Sequence, residues 1–258
     1  MTTEGGLGVA ADGAARPRRL VLVGACALVA TAAVAGAVLR GGGSSDGADD
    51  DRLDVAIVGD SLIEQSRDRF RAHAGDGGLT VEAFAFGGSA PCDWLDVFHD
   101  LAEARPERLI ISFTGNDSTP CINPGGGPPR DPQTIADAYA DDLPAIVDLF
   151  AGTDTDVYVV VPPPVGEPAS EPAAVAIRAM YHDLVDARPD VTLIDPAPLL
   201  GPDRRFHRTL PCEHWESATC RADGTVEVRN ADGIHLTPAG GERYARTLLE
   251  GIGQPATT

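Results

Sequence analysis

The stretch Leu53-Asp54-Val55-Ala56-Ile57-Val58-Gly59-Asp60-Ser61-Leu62 sets the frame for the rest of the chain. Residues 53–58 form a short apolar run rich in β-branched side chains, without clean alternation of apolar and polar residues. That is the pattern of a strand buried on both faces of a parallel sheet. Gly59-Asp60 interrupts the run, and a helical pattern over 62–74 follows, so Ser61 falls at a strand's C-terminal end and near the first turn of a helix. Backbone N–H groups are free there and favour developing negative charge. A Gly-Asp-Ser met alone is usually just a helix cap, so the motif needs partners elsewhere.

Working outward, strand-like runs recur at 79–84, 109–113, 157–161 and 191–194, separated by amphipathic patterns at 93–105, 132–151, 171–188 and 238–251. This alternation predicts a three-layer α/β/α sandwich with a mostly parallel five-stranded sheet. The Pro/Gly-rich stretches 123–130 and 162–172 read as surface loops. Residues 196–230 show little periodicity and are long for a loop, as functional or restrained segments are.

Two further motifs stand at predicted loop ends. Thr114-Gly115-Asn116-Asp117 follows the third strand, at the edge where open parallel sheets bind ligands. Near the C-terminus stands Asp232-Gly233-Ile234-His235-Leu236-Thr237. An Asp three residues before a His can reach one imidazole nitrogen, fix the tautomer and leave the other nitrogen to take a proton from a hydroxyl. Singly each motif is a turn or a cap. Together, in this order, they place a serine nucleophile, an amide donor and an Asp–His pair at one sheet edge.

In these motifs the sequence resembles the SGNH (GDSL-type) hydrolases over about residues 53–251, as a membrane-anchored or secreted, actinobacteria-like member. The resemblance implies a flavodoxin-like fold, no cofactor and no metal. It implies Ser61 as nucleophile, His235 as its base and Asp232 as the residue orienting His235. It also implies an oxyanion hole built from the Ser61 N–H, a glycine N–H and the Asn116 side chain. Fixed donors of this kind are worth about 3–4 kcal/mol each. The family's usual Asn before the glycine is absent from Ala85-Phe86-Gly87-Gly88-Ser89-Ala90, so Gly87, Gly88 and Ala90 all remain open, with Gly88 preferred.

The charge is divided unevenly. The chain of 258 residues is 43% hydrophobic, 23% charged and only 5% aromatic, with net charge −19, which excludes nucleic acid or an anionic bilayer surface as the default partner. Every basic side chain apart from His is Arg, as high-GC coding produces. Arg16, Arg18 and Arg19 precede an uncharged run of 20 residues, 20–39, and acidic residues follow it. At 1.5 Å per residue that run spans about 30 Å, so the expectation is a cytoplasmic segment 1–19, a membrane helix 20–39, an acidic linker 40–51 and an extracellular domain 52–258. Ala33-Val34-Ala35 keeps a cleaved secretory signal as the alternative.

Outside the cell the even set Cys92, Cys121, Cys212 and Cys220 reads as two disulfides. Of three pairings, 92–121 with 212–220 is preferred, since one closes a short loop and the other ties the glycine loop to the Asn116 loop. A metal site from Cys212, His214 and Cys220 competes, although its spacing fits no common zinc pattern.

The functional expectation is an extracytoplasmic serine esterase acting on short-chain acyl esters, O-acetyl groups on carbohydrate included, with a small-molecule or glycan ester as partner. The alternatives are an O-acyltransferase to a cell-surface glycan, a lipase or lysophospholipase, and a non-catalytic tethered binding domain. Trp94 and Trp215 are candidates for a sugar-stacking wall. Arg204, Arg205, His207 and Arg221 are candidates for contact with an anionic substrate, or simply solubilise the surface.

Overall fold

A computed structural model describes residues 52–256 of the chain. Five strands, β1 (Val55–Gly59), β2 (Val81–Ala85), β3 (Arg108–Ser112), β4 (Asp156–Val160) and β5 (Val191–Ile194), form one sheet in the order β2-β1-β3-β4-β5. All neighbouring pairs run parallel. Each strand lies within two residues of its predicted run, because burial on both faces leaves an apolar signature that polar loops interrupt. All five residues of β1 are buried.

The two faces of β1 feed different cores. Ala56 and Val58 join the side covered by α2 (Leu95–Ala104), α3 (Pro132–Asp148) and α4 (Glu171–Ala187). Val55 and Ile57 join the side covered by α1 (Ser61–Asp76) and α6 (Pro238–Gly251). The chain leaves β1 for β2 on one side and then returns past β1 to β3 on the other. This reversal puts a topological switch at the carboxyl ends of β1 and β3, where the sheet's connections diverge and leave a crevice.

The long weakly periodic segment contains structure that its sequence conceals. A short helix α5 (Ala197–Leu200) is followed by β6 (Thr209–Pro211) and β7 (Thr225–Glu227), which pair antiparallel. Between them the Cys212–Cys220 disulfide closes a loop. Arg243 of α6 pins this loop through a buried ion pair, its Nη2 lying 2.6 Å from Glu216 Oε2, and also donates to the carbonyls of Pro211 and Leu199. The other predicted pair, Cys92–Cys121, is formed as well. With both thiols of Cys212 and Cys220 in a disulfide, the competing metal site is lost. Among the described residues no group of His, Cys, Asp and Glu is arranged to hold a metal.

The predicted segment 1–19, membrane helix 20–39 and linker 40–51 lie outside the described residues. Among those described, no helix is long and apolar enough to cross a membrane.

Candidate active site

Gly59 ends β1 because nothing larger fits: a Cβ there would lie 2.5 Å from both the Ile63 side chain and the Ser112 carbonyl. Asp60 then caps α1, and Ser61 opens the helix, almost buried at 7% exposure. Asp60 itself is fully buried. Its Oδ1 accepts the Leu62 N–H at 3.1 Å, and its Oδ2 accepts the Thr114 N–H at 2.7 Å, the Thr114 hydroxyl at 2.6 Å and the Asn116 amide at 3.0 Å. Burial raises the Asp60 pKa, opposed by its bonds to Thr114 and Leu62 and by the nearby charge of His235. One side chain thus joins the ends of β1 and β3 and lies within electrostatic reach of His235.

The Asp232–His235 pair forms as its spacing predicts. Asp232 Oδ1 accepts the N–H groups of Ile234 and His235 at 2.8 and 2.9 Å, and Oδ2 lies 2.8 Å from His235 Nδ1. Burial pushes the Asp232 pKa up, yet the Ile234 N–H, the His235 ring and the His235 N–H outweigh it and bring the carboxyl to about 2. An ionised carboxylate only accepts, so Nδ1 is the donor to Asp232, and in the neutral ring this tautomer puts the lone pair on Nε2.

Helix α1 holds this loop in place. Gln65, one turn beyond Ser61, accepts the Leu236 N–H at 2.7 Å through Oε1. Gly241 of α6 backs onto the same turn so closely that a Cβ would come within 2.8 Å of the Gln65 carbonyl. No hydrogen bond joins Ser61 Oγ to His235 among the described residues.

The three candidate N–H groups of the loop after β2 differ in their partners. The Gly87 N–H donates to Glu64 Oε2 at 2.8 Å, and the Ala90 N–H donates to Asp93 Oδ2 at 2.8 Å. The Gly88 N–H has no partner among the described residues, and Gly88 adopts a φ of 83° that suits glycine. Gly87 brings this loop against Ser61, since a Cβ on it would lie 3.6 Å from Ser61 Cβ. Asn116 is held inward: its Nδ2 donates to Asp60 and, at 3.1 Å, to the Ser89 carbonyl.

The family model described as "Protein of unknown function (DUF459)" matches residues 54–251. The chain belongs to this family. The SGNH resemblance holds at the level of the fold. AlAXEase, an acetyl xylan esterase, is 15% identical, with 77% of this chain and 99% of that one covered at a TM-score of 0.51. A variant of Axe2, an acetyl xylan esterase from Geobacillus stearothermophilus, is 12% identical, with 79% and 96% covered at 0.53. A protein from Desulfitobacterium hafniense placed in the lipolytic G-D-S-L family is 15% identical, with 75% and 98% covered at 0.50. No curated protein matches the sequence.

In this DUF459 chain several residues at the site escape a motif reading. Glu64 was legible only as a helical i+3 neighbour of Ser61. Arg229 carries no signal at all, yet it is fully buried beneath the Asp232–His235 loop and donates through Nη1 to the Ile234 carbonyl at 2.8 Å. Desolvation lowers its pKa to about 10. Other candidates fall away. Trp94 packs against the core and donates to Ser89 Oγ, and Arg246 covers the Trp215 ring at 4.7 Å, so both tryptophans are committed to packing. Arg204, His207 and Arg221 pair with Asp195, Asp203 and Glu227, which favours the solubilising reading over contact with an anionic substrate.

Proposed function

We propose that this DUF459 chain is an extracytoplasmic serine esterase that removes short acyl groups, acetyl first, from carbohydrate. The observation that carries the reading is the 2.8 Å Asp232–His235 contact on a loop fastened to the helix that Ser61 begins. Ser61 Oγ attacks the ester carbonyl as its proton passes to His235 Nε2, and the resulting imidazolium is stabilised by ionised Asp232. The oxyanion draws on the N–H groups of Ser61 and Gly88. Asn116 joins them by yielding its bond to the Ser89 carbonyl, as apo catalytic contacts tighten on binding. The alcohol leaves with the proton from His235. Water, deprotonated by His235, then attacks the acyl-enzyme and releases the acid and free Ser61.

Carbohydrate is favoured over long-chain lipid for two reasons. AlAXEase and Axe2 are described as acetyl xylan esterases. An apolar cavity of about 510 Å³ opens between α3 and α4, and none of Ser61, Gly88, Asn116 and His235 lines it. The extracytoplasmic setting rests on the basic-apolar-acidic order of residues 16–51 and on the two disulfides. Residues 20–39 then act as the anchor, with 52–258 outside.

Hydrolysis of p-nitrophenyl acetate by the wild type and its loss in Ser61→Ala tests the chemistry. Unchanged turnover in that variant contradicts it. Protease treatment of intact cells tests the location, since the hydrolase domain should be released or degraded while cytoplasmic proteins survive.

A further inference from the structure

Phe86 is 67% exposed, the most exposed of the large apolar side chains among the described residues. It stands immediately before Gly87 and Gly88, on the loop that closes against Ser61. The backbone beneath it is fixed at both ends: its N–H donates to the Gly59 carbonyl at 3.3 Å, and its carbonyl accepts the Ser89 N–H at 3.3 Å and the Ser89 hydroxyl at 2.7 Å. The ring is therefore held outward by a backbone anchored to the strand end that delivers the nucleophile. A lone exposed apolar residue is ordinary on a protein surface. Its place here is not, because Glu64, which accepts the N–H of the adjacent Gly87, supplies the complementary chemistry. Glu64 is exposed, spends Oε2 on the Gly87 N–H, and leaves Oε1 without a partner among the described residues.

We propose that Phe86 and Glu64 together form the subsite for an uncharged sugar ring that carries the ester. The aromatic face takes the C–H face of the ring, and Glu64 Oε1 accepts one of its hydroxyls. An aromatic platform beside a carboxylate acceptor suits a pyranose. It does not suit an acyl chain, which has no hydroxyl to offer, and the carboxylate repels an anionic headgroup or a uronate. The subsite deepens the esterase reading and rests on it for the choice of substrate.

The probes are methyl β-xyloside carrying a single acetyl group, and ethyl acetate. Phe86→Ala should lower kcat/KM on the sugar ester at least fivefold more than on ethyl acetate, mainly through KM, whereas Phe86→Trp should restore the preference. Aromatic contacts of about 1 kcal/mol correspond to roughly fivefold. Equal losses on the two esters, or no loss on the sugar ester, overturn the subsite.

Binding separates this proposal from the esterase reading. Ser61→Ala, titrated with the same acetylated xyloside, should bind it about fivefold more weakly once Phe86→Ala is added. If the wild type hydrolyses neither ester yet this difference persists, the subsite stands and the esterase reading falls. If binding is indifferent to Phe86, the subsite falls.

Discussion

Two aspartates flank the candidate nucleophile and live in opposite surroundings. Asp60 is sealed beneath the sheet edge with burial raising its pKa, whereas Asp232 sits on an exposed loop with its carboxyl brought to about 2. The difference is one of role. Asp232 gathers three hydrogen bonds where water can still reach it, so it stays charged and can balance an imidazolium. Asp60 spends its acceptors on Leu62, Thr114 and Asn116 and acts as a joint between two strand ends. The first region is expected to govern rate and the second both rate and stability.

The largest effect tests the exposed region. Asp232→Asn should cut kcat on p-nitrophenyl acetate by about 10⁴-fold, the scale at which an orienting carboxylate matters, with far-UV circular dichroism unchanged. A loss below tenfold would remove Asp232 from the mechanism.

The buried joint should respond differently. Asp60→Asn keeps the shape but puts an NH2 group where a carboxylate oxygen was; in place of Oδ2 it leaves the Thr114 N–H, the Thr114 hydroxyl and the Asn116 amide without their shared acceptor. We expect a stability loss of about 2–3 kcal/mol and a melting temperature lower by about 4–12 °C, together with reduced kcat as Asn116 is released. Activity lost without any change in melting temperature would contradict the assigned role.

The same contrast predicts opposite pH trends. For Asp232 the folded pKa is depressed, so the stability it contributes is present above the unfolded value of 3.8 and disappears as pH falls through about 2. For Asp60 the folded pKa is raised, so its contribution is greatest when protonated and declines as pH rises from 3.8 through its raised value. In acid unfolding curves the gap between wild type and Asp232→Ala should narrow as pH drops over the first interval. A gap that widens there would contradict the assignment.

The smallest effect concerns the disulfides. Cys92–Cys121 ties the loop bearing Gly88 to the loop bearing Asn116, and the same two loops are joined by Thr119 Oγ1 donating to Asp93 Oδ1 at 2.5 Å. Replacing Cys92 and Cys121 by Ala should lower kcat severalfold in protein that remains folded. The matching replacement at Cys212 and Cys220, in the loop held by Arg243, should cost stability with activity within about twofold. Equal effects on activity would mean that Cys92–Cys121 only staples the fold.

The legible parts of the molecule are those whose physics is local. β1 could be read from its apolar run, α1 from its period, and the Asp232–His235 contact from a spacing of three. The hidden parts depend on residues far apart in the chain. Arg229 looks like any other surface Arg, and only the fold shows its Nη2 against the Pro164 carbonyl and its Nη1 against Ile234. That the Gly87 and Ala90 N–H groups are taken up by Glu64, from another element, and by Asp93 likewise shows only in the fold. The β6–β7 pair is three residues per strand, too short to leave a period.

The central claim is that Ser61 is a nucleophile activated by His235 and Asp232. Intact-protein mass spectrometry after exposure to a fluorophosphonate tests it most directly. The account predicts a single stoichiometric adduct on Ser61, absent in Ser61→Ala and formed far more slowly in His235→Ala and Asp232→Asn. Folded wild-type protein that takes up no adduct, or takes one up elsewhere, would contradict it.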